Sequence, residues 1–173
     1  MVRGSPNPLH MTLPARFRKA RNGAGLTRMA LAQAAGCGQS VAVEIEDRQR
    51  LPSVATLARL ASALQVSPSW LAYGLGDMKP TDPHVERMDM ATRLQAARSA
   101  AAMSRAELGR HTSLSPRAIA KIESGGQSGV DIIELLAKAL GVSPGWLAFG
   151  LGPQIVTSPR RGRPPAQSPA DAH

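Results

Sequence analysis

Two short helical patterns in this chain leave their outer faces to side chains that can donate and accept hydrogen bonds. In one, Ala42 and Ile45 take the inner side and Gln39, Ser40 and Glu44 the outer. In the other, Ile119 and Ile122 lie inside, with Pro116, Arg117 and Lys121 outside. An amide, a hydroxyl, a carboxylate, a guanidinium and an ammonium displayed this way suit recognition of a patterned polar surface. They do not suit bond-making, because no nucleophile stands with a base to activate it. His10, His84, His111 and His173 show no ligand spacing, so no metal and no other cofactor is expected. No glycine-rich phosphate loop follows a strand. An enzyme is therefore disfavoured.

Charge points the same way. The formal net charge of the 173 residues is +9, and by count residues 16–77 carry +4 and residues 93–153 carry +3. Positive charge on both halves, and not on one tail, favours a polyanionic partner, either nucleic acid or an anionic membrane surface. No apolar run is long enough to span a bilayer, so no membrane insertion is expected. A single cysteine, Cys37, excludes an intrachain disulfide and fits a reducing interior, and a cytoplasmic protein is expected. Cys37 itself reads as a small core residue.

The elements that must position those side chains come in duplicate. Val66-Ser67-Pro68-Ser69-Trp70-Leu71-Ala72-Tyr73-Gly74-Leu75-Gly76 returns as Val142-Ser143-Pro144-Gly145-Trp146-Leu147-Ala148-Phe149-Gly150-Leu151-Gly152. Extended backwards, Arg16–Asp77 aligns with Arg93–Pro153, with one residue lost in the second copy and roughly a third of positions identical. Helical spacing dominates and period-two alternation is absent. Val54, Leu57, Leu60, Ala61 and Leu64 share one face, as do Val130, Ile133, Leu136, Ala137 and Leu140. Ser67-Pro68 and Ser143-Pro144 each read as an N-cap serine with proline in the first turn, and Ser104 to Glu107 reads as a capping box. The spacing predicts helices near 14–23, 27–35, 39–47, 53–64 and 68–73, then near 85–100, 105–112, 116–124, 130–140 and 144–149. The expected organisation is all-α. A disordered segment spans 1–13, one five-helix domain 14–77, a linker 78–84, a second domain 85–153, and a disordered basic tail 154–173. Trp70, Trp146, Tyr73 and Phe149 are expected to close the core, with a dimer face as the alternative.

In each copy a small residue, Ala32 or Gly109, stands where two short helices would cross, as a helix-turn-helix requires. Gly25-Leu26-Thr27, Leu31-Ala32, Gly36 and Ile45-Glu46 in the first copy, and Met103-Ser104, Leu108, Leu114-Ser115, Ile119 and Ile122-Glu123 in the second, resemble the phage-repressor/Cro-type (XRE-type) helix-turn-helix family. The resemblance covers about four fifths of the chain. It implies that the third helix of each copy enters the major groove of double-stranded DNA. Carried over by position, Gln39, Ser40, Glu44, Pro116, Arg117 and Lys121 become base-contacting candidates, and Arg28, Arg48, Arg50 and Arg105 phosphate-contacting ones. The sequence departs from the pattern at Ala42, where a large apolar residue is usual, at Glu44, a carboxylate facing phosphate, and at Ser113, in place of the turn glycine. The second reading helix is thus expected to be the stronger. The cluster Arg16, Arg18, Lys19, Arg21 is divided between a solvated face and phosphate contact. In the tail, Arg161-Gly162-Arg163-Pro164 resembles an AT-hook core, which would lie in a narrow minor groove.

The expectation is a sequence-specific DNA-binding transcriptional regulator, a repressor in the first instance. Most members of the family dimerise to place two reading helices about one DNA turn (~34 Å) apart. Here the second domain is covalently supplied, and the linker from Asp77 to about His84 reaches about 25 Å at most. A homodimer or a protein partner stays open. Two alternatives stand beside this reading. One is an antitoxin-type DNA-binding protein, which a neighbouring toxin gene would mark. The other is a protein-interaction module with vestigial DNA contacts, which sequence-indifferent binding would mark.

Overall fold

The computed structural model describes residues 12–79 and 88–155. The first copy folds as α1 (Leu13–Gly23), α2 (Arg28–Ala34), α3 (Val41–Glu46), α4 (Val54–Ala63) and α5 (Pro68–Tyr73). The second folds as α6 (Met90–Ala100), α7 (Arg105–Thr112), α8 (Pro116–Glu123), α9 (Val130–Leu140) and α10 (Pro144–Phe149). The chain is all-α, as the spacing predicts. Among the described residues, extended pairing is confined to two isolated bridges, Ser53 with Gly129 and Val142 with Ile155. No helix there is long and apolar enough to cross a membrane.

Capping residues set most boundaries. Ser67 and Ser143 accept from the backbone N–H groups of Trp70 and Trp146, with Pro68 and Pro144 in the first turn. The Ser104 hydroxyl accepts from Glu107 N, and the Glu107 carboxylate accepts in return from Ser104 N at 2.7 Å. Two starts differ clearly from the predicted ones, one with a cap and one without. The helix expected from 85 starts at Met90, because Asp89 accepts from Thr92 N and so ends the preceding turn. The helix expected from 39 starts at Val41, and Ser40 makes no cap bond. Both copies also extend slightly past their expected ends. Ser67 N donates to Met78 O, and Ser143 N donates to Gln154 O, so the start of the expected linker and of the expected tail is held by the preceding domain.

The two cores repeat almost residue for residue. Phe17, Leu31, Ile45, Leu57, Leu60 and Leu71 are fully buried in the first, and Leu94, Leu108, Ile119, Ile133, Leu136 and Leu147 in the second. Two aligned positions trade volume. Phe17 stands where the second copy has Leu94, and buried Ala42 stands where it has Ile119. Since α1 packs on α3 and α6 on α8, the larger residue on one helix offsets the smaller on the other. Arg16 and Arg93 play one structural part in both copies. Each is buried and donates to the last carbonyls of its fifth helix, Arg16 to Leu71 and Ala72, Arg93 to Leu147 and Ala148. Burial pulls the Arg16 guanidinium below its ordinary pKa, against a smaller opposing effect of Glu134. A solvated face or a phosphate contact at Arg16 is thereby corrected: its head group is spent inside.

The copies meet about a pseudo-two-fold axis. Val54 N donates to Ser128 O at 2.9 Å, and Val130 N donates to Pro52 O at 3.2 Å. These bonds are each other's image under the repeat, and the bridged pair Ser53 and Gly129 is a single position meeting itself. Helices α5 and α10, also equivalent, pack together. There Ser69 faces Gly145, its own counterpart, so closely that a Cβ on Gly145 would collide with the Ser69 hydroxyl. Tyr73 and Phe149 meet with ring centroids 6.2 Å apart, and the Tyr73 hydroxyl donates to Val130 O at 3.1 Å. Burial, then the negative charges of Glu134 and Asp131, push that hydroxyl well above its ordinary pKa. Trp146 lies in the core, whereas Tyr73 and Phe149 join the two domains.

Candidate nucleic-acid interface

The paired helices α2–α3 and α7–α8 form the two candidate reading units. In the second, the crossing is tight. A Cβ on Gly109 would sit 2.5 Å from the backbone oxygen of Leu114, which cannot give way as a side-chain tip can. The turn after α7 needs a left-handed residue, and Ser113 supplies it at φ 57° without being glycine. Gly36 does the same in the first unit at φ 59°.

Beneath each reading helix lies an arginine–glutamate cluster that holds it to the helices before it. The Glu46 carboxylate, fully buried at the end of α3, pairs with Arg21 at 2.7 Å and Arg28 at 2.8 Å, and Arg18 lies 3.6 Å away. Asp47 adds a second carboxylate, 2.8 Å from Arg28 and 3.3 Å from Arg18. The equivalent Glu123 pairs with Arg98 at 2.6 Å and Arg105 at 2.7 Å. For both glutamates burial alone would push the carboxyl up. The hydrogen bonds from the two arginines outweigh it and hold each below the usual carboxylate range. Arg28 and Arg105 thus open α2 and α7, as the sequence places them, but each spends part of its guanidinium on a buried acid. Their side chains stay 37% and 46% exposed, so N–H groups remain at the surface. Reading the sequence missed these clusters. The signal was present in the repeated trio Arg21, Arg28, Glu46 and Arg98, Arg105, Glu123.

On the outer faces the units diverge. Helix α8 begins with Ser115 as cap and Pro116 in the first turn, and it places Arg117 and Lys121 one turn apart. Both are exposed, and neither forms an ion pair with any described residue. Pro116, Arg117 and Lys121 therefore make one free cationic ridge. In the first unit Gln39 and Ser40 are exposed in the turn before α3 and not within it. Glu44 is on α3 itself, its side chain only 19% exposed and ion-paired to Arg48 one turn on. Arg50 Nη1 lies 3.3 Å from the other Glu44 oxygen. The base-contacting candidate Glu44 and the phosphate-contacting candidates Arg48 and Arg50 are thus partners of one another. Beside them an open hollow of about 420 Å³ runs between α3 and α4, lined in part by Cys37, Glu44, Arg50, Thr56 and Arg59. Arg59 spans it to donate to Gly36 O at 2.9 Å. The AT-hook-like residues Arg161, Gly162, Arg163 and Pro164 lie outside the described residues.

Comparison with known families gives two matches, one per copy. Residues 13–72 match a helix-turn-helix domain model, and residues 94–147 match a second helix-turn-helix model. No curated protein and no solved structure matches the chain. Domains of this kind bind double-stranded DNA, and two of them in one chain mark a DNA-binding regulator. With both copies matched and both folded as the pattern demands, the chain belongs to the XRE-type, phage-repressor/Cro-like helix-turn-helix family, in which it is a tandem pair.

Proposed function

We propose that this chain is a sequence-specific repressor that docks its two domains, as an internal dimer, in successive major grooves on one side of a DNA duplex. Helix α8 is the principal reader. The observation that carries this is the free ridge of Arg117 and Lys121, in contrast to the paired arginines elsewhere on the reading units. A free guanidinium in the first turn of a groove-sized helix, with a free ammonium one turn on, supplies the donors that suit the O6 and N7 acceptors of guanine. Arg28 and Arg105, anchored at one side and exposed at the other, would hold phosphate and set the register. The reciprocal bonds at Ser53 and Gly129 and the α5–α10 contact support a fixed relation between the two readers. A dimer joined by peptide bonds does not dissociate on dilution, so the second groove contact is intramolecular. Repression then follows from occupancy of a promoter.

The test is direct. Arg117→Ala together with Lys121→Ala is expected to weaken binding to a selected operator by about 1–3 kcal/mol per lost base contact. Binding to random-sequence duplex should weaken far less. Undiminished operator affinity in the double variant, with the fold intact by circular dichroism, contradicts the assignment of α8 as reader.

A further inference from the structure

The two reading units carry their charge in opposite order. In the second, the helix holds the cation, Lys121, and the following loop 124–129 has no charge. In the first, the aligned helix position holds the acid, Glu44, and the following loop holds the cations, Arg48 and Arg50. The loop geometry keeps them together. Arg50 N donates to Glu44 O at 2.8 Å, and Arg48 N donates to Val43 O at 3.2 Å. Gln49 between them turns the chain through a left-handed conformation at φ 53°.

Ordinarily an exposed ion pair contributes little, about 0–1 kcal/mol, and a nearby phosphate could strip it. Here the two ends differ. The arginine side chains are 67% and 78% exposed, but the Glu44 side chain is 19% exposed. Its second oxygen is closed to solvent, and its sole ionic partner among the described residues is Arg50. Drawing both arginines onto DNA would leave a largely buried carboxylate uncompensated, beside a polyanion. That penalty opposes the exchange.

On the reading of the chain as a groove-binding internal dimer, we propose that Glu44 is a specificity-determining residue that holds Arg48 and Arg50 away from the DNA backbone. The first domain then becomes the weaker half of an oriented, non-palindromic binding site. The half beneath α8 is defined by acceptors on guanine. The half beneath α3 lacks such cationic donors, since the position aligned with Lys121 holds Glu44 and the nearby arginines are turned onto that acid.

The experiment measures salt-dependent binding and base preference of the full chain, its Glu44→Gln variant, an Arg48→Ala/Arg50→Ala variant, and the triple variant. Each phosphate neutralised contributes about 0.9 to the slope of log affinity against log salt. Glu44→Gln is expected to steepen that slope by up to about 1.8 and to tighten binding to random-sequence duplex at low salt. Sequences selected from random DNA should change only in the half assigned to the first domain. Arg48→Ala/Arg50→Ala should leave the wild-type slope nearly unchanged, and added to Glu44→Gln it should abolish the gain. The proposal is overturned if the arginine variant alone flattens the slope by about 1.8, for then both already sit on phosphate. Selection of a palindrome with equal information in both halves overturns it too, while leaving the groove-binding reading intact. Wild-type chain that shows no preference for any duplex sequence defeats the groove-binding reading, and this proposal with it.

Discussion

Glu46 and Glu123 are the residues on which each reading unit turns. Each is buried, each closes the reading helix against the arginines of two earlier helices, and each is held below the ordinary carboxylate range. A carboxyl whose pKa is depressed by folding adds stability that is complete above its unfolded value, about 4.3. That stability is lost as the pH falls through the folded value. Thermal unfolding scanned downwards from neutral pH should therefore show Tm falling once the pH drops below about 4.5, and the fall should be shallower in Glu46→Gln/Glu123→Gln. Equal slopes in the two proteins would count against this role. The same residue scale shows where reading the sequence stopped short. Glu44 and Arg48 are spaced i, i+4, a helical pairing that is visible in the sequence. It was obscured because position alone assigned one to a base and the other to a phosphate.

The short helices were legible where their signals are local. Ser67, Ser104 and Ser143 cap within three residues of themselves, and the structure keeps all three. Helix α3 was less legible because Ser40 provides no such bond, and the helix shrinks to six residues. The aligned α8 keeps eight behind its Ser115 cap and Pro116. Volume compensation between Phe17 and Ala42 was also hidden, because it acts between the packed helices α1 and α3 and not along the chain. The turn between α7 and α8 offers a two-sided test. Ser113→Gly should stabilise by about 0.5–1 kcal/mol, since a left-handed backbone strains serine and not glycine. Gly109→Ala should destabilise by about 1–3 kcal/mol through overpacking against the Leu114 carbonyl. Calorimetric unfolding of both variants checks the pair, and the same sign of change in each would refute the geometry of the crossing.

At the level of the whole molecule, the repeat in the sequence becomes a symmetry in space. The repeat itself was plain from the Trp-Leu-Ala segments, but its consequence was not. Only the fold shows that Ser53 meets Gly129, and Ser69 meets Gly145, each position touching its own copy. The Ser-to-Gly change at 145 removes the atom that would clash, so the interface is tied to this one asymmetry. Gly145→Leu should separate the domains without unfolding either. Helix content should hold while scattering reports a larger radius of gyration and operator affinity drops by at least about tenfold, the loss expected when a tethered second contact becomes loose. In the proposed function, one chain serves as a complete dimer. A base-resolution footprint of a one-to-one complex on a selected operator tests it most directly. Two protected major-groove windows, centred about ten base pairs apart on one face of the duplex, are predicted. A single window per chain, or protection that appears only with two chains bound, would contradict it.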